Sequence, residues 1–61
     1  MPTFDDVVTV RGLASDYMID GVELTDAGIQ VRGGGVVEYY GTAEEACAGI
    51  RASWLRREDT E

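Results

Sequence analysis

Apolar positions change period near residue 41. Up to Tyr40 they come in short alternating or β-branched runs bounded by Gly and Asp, and after Gly41 they recur every three or four residues. The first pattern predicts strands, the second a helix. Val7-Val8-Thr9-Val10, closed by Arg11-Gly12, reads as a first strand. Tyr17-Met18-Ile19 and Val22-Glu23-Leu24 flank Asp20-Gly21, a dipeptide suited to a two-residue hairpin turn, which sets Ile19 against Val22 and Tyr17 against Leu24. Thr25-Asp26-Ala27-Gly28 predicts the next turn, with Leu24 against Ile29 and Val22 against Val31. A three-residue Gly33-Gly34-Gly35 loop then pairs Val31 with Val37 and Ile29 with Tyr39 on the core side. The same register puts Gln30 opposite Glu38 and Arg32 opposite Val36 on the outer side.

Thr42-Ala43-Glu44-Glu45 has the spacing of a capping box, in which the threonine hydroxyl and the glutamate carboxylate each satisfy a backbone amide of the other residue. It opens a helix expected over about residues 43–57, with acids in the first turn and Arg56 and Arg57 in the last, both favourable to the helix dipole. Ala43, Ala46, Cys47, Ile50 and Trp54 share a sector of about 100°, the width of a core-facing stripe. Residues 58–61 are expected to fray. The predicted fold is α+β: an antiparallel meander of four or five short strands packed against one C-terminal helix, in a single small domain over residues 1–61.

Size and composition narrow the function. A 61-residue chain buries only about 60% of its unfolded surface, so its core is small. The single cysteine, Cys47, cannot close an internal disulfide, and no zinc-ligand spacing is present. A partner would therefore add stability where the usual staples are missing. Twelve acids against five arginines, with no lysine or histidine, leave a net charge of −7. That balance opposes binding to nucleic acid or to an anionic membrane surface.

Candidate chemistry is sparse. Without histidine, the acid–base dyads and triads that depend on it are excluded, and neither Ser15 nor Ser53 has a base in prospect. Cys47 lies on the helix stripe as a small hydrophobe. Gly33-Gly34-Gly35 precedes a strand rather than the helix N-terminus a phosphate cradle requires. Asp16, Asp20, Glu23 and Asp26 do not have the ligand spacing of an EF-hand loop. The reading is of a protein that is not an enzyme, with no metal, cofactor or small-molecule substrate. The first residues have no basic region followed by an apolar run, and no apolar stretch is long enough to span a bilayer, so the expected compartment is cytoplasmic.

The Tyr-rich last strand leading into Gly41-Thr42-Ala43-Glu44-Glu45-Ala46 resembles the sheet-plus-helix modules of AP2-like and phage-integrase arm-binding domains, over roughly the last 35 residues. The resemblance implies a sheet face that reads DNA with basic side chains. The corresponding positions here are Glu23, Gln30, Arg32 and Glu38, which opposes direct DNA binding.

Two surfaces remain as candidate interfaces. The sheet face turned away from the helix is expected to carry Val7, Thr9, Met18, Val36 and Tyr40 among Glu23, Gln30, Arg32 and Glu38, too apolar for a purely solvated face. On the helix, Ala48, Ala52 and Leu55 fall at i, i+4 and i+7 with Arg51 beside them, a strip that admits a second helix closely. The candidate partner-binding residues are thus Val36, Tyr40, Met18, Arg32, Ala48, Ala52, Leu55 and Arg51. The function expected from them is a non-enzymatic protein-interaction module, either a homodimer or a small accessory protein. The alternative is an acidic decoy or inhibitor of the phage type. Asp16, Asp26, Glu44 and Glu45 would then form one acidic cap that docks on a basic host protein.

Overall fold

The computed structural model describes residues 1–57. The chain runs α1 (Phe4–Ala14), β1 (Gly21–Thr25), β2 (Gly28–Gly33), β3 (Val36–Tyr40) and α2 (Ala43–Ser53). Among the described residues the fold is α+β with three strands and two helices, in the order helix, sheet, helix. The expected four or five strands with one C-terminal helix are corrected at both ends of the chain.

The first correction concerns Val7-Val8-Thr9-Val10, which is helical. Thr3 caps this helix with a complete capping box: its hydroxyl accepts from Asp6 N at 3.4 Å, and Asp6 Oδ2 accepts from Thr3 N at 2.9 Å. Val7, Val10 and Ala14 then fall at i, i+3 and i+7 and are all buried, while Val8 on the other face is exposed. The Thr9 hydroxyl donates back to Asp5 O, a bond that a mid-helix threonine makes readily. Burial of one valine face outweighs the β preference of the run, which amounts to only a few tenths of a kcal/mol per residue. Val7 and Thr9 therefore do not lie on the sheet.

The second correction concerns Asp20-Gly21, which is not a hairpin turn. Residues 17–19 pair instead with the segment after α2: Met18 N donates to Leu55 O at 2.9 Å, Arg57 N donates to Asp16 O at 2.8 Å, and Tyr17 bridges Arg56. Helix α2 accordingly stops at Ser53 rather than near residue 57. Trp54 leaves it in an extended conformation and donates its indole N–H to Gly33 O at 2.9 Å. Arg57 turns back to donate to Ser15 O and Ile19 O, placing its charge beside the carbonyl end of α1. The frayed tail expected at 58–61 lies outside the described residues.

The sheet has the order β1-β2-β3 and is antiparallel throughout. The first hairpin has the expected register, Val22 against Val31 and Leu24 against Ile29. The second is shifted by one residue. Gly34 (φ 61) and Gly35 (φ 81) form a two-residue turn with both central residues at positive φ, as a type I′ hairpin requires, and Gly33 stays in the strand opposite Val36. Val31 therefore faces Glu38, Ile29 faces Tyr40 and Arg32 faces Val37. Because side chains alternate, this slip turns β3 over: Val36, Glu38 and Tyr40 share the helix-covered side with Val31 and Ile29, and Val37 and Tyr39 point away.

Both helices lie on one face of the sheet. Val7, Val10 and Ala14 from α1, Ala46 and Ile50 from α2, and Val22, Ile29 and Val31 from the sheet form the core, closed by Tyr17, Ile19 and Trp54. Ala43 and Cys47 pack at its margin, so the predicted stripe does face the sheet. Gly33 admits the crossing chain: a Cβ there would sit 2.5 Å from Met18 O and 3.0 Å from the Trp54 indole nitrogen.

Candidate interaction surface

The helices leave β3 largely bare. Tyr40 is tucked under Gly49, whose absent side chain makes room for the phenol ring, and Trp54 reaches Gly33 at the far end of β2. Helix α2 thus crosses the sheet from β3 toward β2, and Val36 and Glu38 stay exposed on the covered side. Tyr40 alone in β3 is partly buried. Its burial raises the hydroxyl above the ordinary phenol pKa, and the Glu38 carboxylate on the same side adds to the shift.

On the bare face, Val37 and Tyr39 are about half exposed, at 48% and 50%. Tyr39 Oη accepts from Gln30 Nε2 at 3.0 Å, and Arg32 lies 3.9 Å from Glu23, so the polar residues of this face are loosely tied to one another. Such exposed pairs contribute little to stability. Around the corner, at the Gly34-Gly35 end, Met18, Val36 and Leu55 rim a groove of about 310 Å³ over Trp54 and Ser53.

The eight residues named from the sequence separate into four places. Met18, Val36 and Leu55 meet at this groove. Arg32 lies on the bare face, on the opposite side of the sheet from Val36. Tyr40 points inward under α2 rather than outward. Ala48, Arg51 and Ala52 are exposed on α2, but the expected strip is broken because Leu55 lies beyond the helix end. The sequence reading misses Val37 and Tyr39 as exposed residues of the bare face. The three-residue loop read from Gly33-Gly34-Gly35 turns them toward the core, and the two-residue Gly34-Gly35 turn exposes them.

The acidic cap is also redrawn. The β1–β2 turn with Asp26 lies beside Met1 and Pro2, ahead of α1, and Gly28 lies against Tyr40 and Gly41, ahead of α2. Asp26, Glu44 and Glu45 therefore share one end with Asp5 and Asp6. Asp16 is at the other end, beside Arg57. All five arginines are rooted at that other end as well: Arg11 and Arg51 in the last turns of the helices, Arg32 opposite Gly21, and Arg56 and Arg57 against residues 15–19. The charges within the helices sit at the termini they stabilise, Asp5, Asp6, Glu44 and Glu45 in the first turns and Arg11 and Arg51 in the last.

Cys47 is a free thiol packed beside the core. Among the described residues, no three His, Cys, Asp or Glu side chains converge as metal ligands, and no helix is long and apolar enough to cross a membrane. Comparison with protein-family models, with curated proteins and with solved structures finds no match, so a functional reading rests on this chain's own geometry.

Proposed function

We propose that this chain is a non-enzymatic protein-interaction module that docks through β3 and the sheet face turned away from the helices. One observation carries the reading: β3 is a five-residue strand of Val, Tyr and Glu in which Val36, Val37 and Tyr39 are each between 44% and 50% exposed, beside the groove rimmed by Met18 and Leu55. Large apolar side chains gathered on one strand and its neighbouring groove mark contact surfaces more often than scattered ones do.

The test compares the wild type with Val37→Glu and Leu55→Glu, both exposed changes that leave the core intact. Sedimentation across a wide concentration range reads self-association, and affinity capture followed by identification and reconstitution of the purified pair reads a partner. A stoichiometric complex weakened at least about tenfold by Val37→Glu, with an unchanged melting temperature, supports the proposal. A complex indifferent to both variants, or none with either a second copy or another protein, overturns it.

A second reading, an acidic decoy for a basic protein, draws on the end that gathers Asp5, Asp6, Asp26, Glu44 and Glu45. It requires binding that weakens steeply with salt and is relieved by Glu44→Lys with Glu45→Lys rather than by Val37→Glu.

A further inference from the structure

The two edges of the sheet are built differently. In a hairpin closed by a two-residue turn, the closing pair is hydrogen-bonded and such pairs recur at every second residue. Closure at Thr25 and Gly28 ties Glu23 and Gly21 to β2, so the backbone groups of Val22 and Leu24 face the outer edge of β1. The Val22 carbonyl is found there accepting from Arg11 Nε at 3.1 Å, and α1 packs alongside. Closure at Gly33 and Val36 likewise ties Val36, Glu38 and Tyr40 to β2, so the N–H and C=O groups of Val37 and Tyr39 face the outer edge of β3. Among the described residues nothing covers that edge, and β3 has no proline, lysine or bulge to guard it; its one charged residue, Glu38, guards it against acidic strands only.

We infer that the free edge of β3 binds an extended, basic segment of another protein as a fourth, antiparallel strand, with its Lys or Arg opposite Glu38. This rests on the interaction-module reading above and names the partner's chemistry. Val37 and Tyr39 supply paired donors and acceptors for the added backbone, and their side chains on the bare face meet alternate apolar residues of the incoming strand. Glu38, between them on the other side, is exposed and sets the charge of the residue facing it. On α2, Gly49 lies against Tyr40 and Ser53 lines the groove with Val36, so these two positions bring no long side chain toward β3. Charge decides against a second copy. The register that pairs Val37 with Tyr39 of another copy places Glu38 directly against Glu38, and each chain already carries a net charge of −7.

Two short acetylated and amidated peptides test this, one with Val-Lys-Val at its centre and one with Val-Glu-Val, titrated into the full-length protein labelled for amide NMR. In dilute protein alone, the Val37 and Tyr39 amides exchange with solvent much faster than those of Val36, Glu38 and Tyr40. The lysine peptide slows both and binds about 3- to 10-fold tighter than the glutamate peptide at low salt. Glu38→Lys reverses that preference. Val37→Pro abolishes binding of both, since it removes an outward N–H and leaves the bonds to β2 in place.

Slow exchange of Val37 and Tyr39 in dilute protein, no effect of either peptide on these amides up to its solubility limit, or equal binding of the two peptides overturns the inference. Protection that grows with protein concentration in the absence of peptide, or peptide shifts centred on Met18 and Leu55, also overturns it while leaving an interaction module standing. The module reading fails separately, if no complex responds to either Val37→Glu or Leu55→Glu.

Discussion

Helices α1 and α2 begin alike and are built from opposite materials. Each is capped by a threonine, each has two acids in its first turn and an arginine in its last, and each is 11 residues long. Between those ends α1 is written in valine and threonine, residues that prefer strands, whereas α2 is written in alanine. Helix α2 is thus favoured by local propensity before any packing. Helix α1 is helical because its Val7, Val10 and Ala14 face can be buried only in that conformation, against a sheet that the rest of the chain must first supply.

Core deletions should give the largest effect and show this dependence. Ile50→Ala, at a fully buried position in α2, is expected to cost about 2–5 kcal/mol. Val10→Ala, equally buried in α1, removes two methyl groups and should cost about 2 kcal/mol, partly offset by alanine's better helix propensity. Urea titration measures both. Amide exchange should show α1 opening together with α2 in Ile50→Ala, and an α1 that stays protected would show that it does not need the sheet.

Glycine substitutions should then separate the helices by sign. A Cβ at Gly12 in α1 meets nothing within 4 Å, so Gly12→Ala is expected to stabilise by roughly 0.5–1 kcal/mol. At Gly49 in α2 the same Cβ would fall onto the Tyr40 ring, and Gly49→Ala should destabilise by about 1–3 kcal/mol despite the same propensity gain. Pairing it with Tyr40→Ala should restore the gain in propensity relative to Tyr40→Ala alone, and thermal melts of the four proteins check this.

Removing the caps should give the smallest difference. Thr42→Ala loses the bond from Glu45 N at 3.0 Å and should cost about 1 kcal/mol. Thr3→Ala also breaks up a reciprocal box and should cost slightly more, up to about 2 kcal/mol. Because α1 has no favourable interior of its own, Thr3→Ala should in addition raise the exchange rate along the whole helix, whereas Thr42→Ala should fray only the first turn of α2.

The same contrast explains which parts of the architecture were readable from the residues. The Val22–Leu24 against Ile29–Val31 hairpin, the start of α2 at Thr42 and its core stripe follow from signals that sit next to one another in the chain. Thr3-Phe4-Asp5-Asp6 was an equally local signal for α1, but the β-branched run behind it pointed the other way. The surface was less legible than the core, since a shift of one residue at Gly34-Gly35 exchanges Val37 and Tyr39 for Val36 and Tyr40 and redraws the bare face.

What the amino-acid sequence determined by itself was the chemistry available and the local beginnings of structure: a strongly acidic chain without histidine or lysine, two threonine-capped helix starts and two glycine-bounded turns. Tertiary structure alone decided that the Val7–Val10 run is a helix, that α2 ends at Ser53 and that residues 55–57 return along residues 15–19. Those choices depend on partners far apart in the chain: Trp54 with Gly33, and Arg57 with the carbonyls that follow α1. Local preferences differ by tenths of a kcal/mol per residue, while burial of one large side chain in a shared core is worth several times more, so long-range contacts prevail wherever the two disagree.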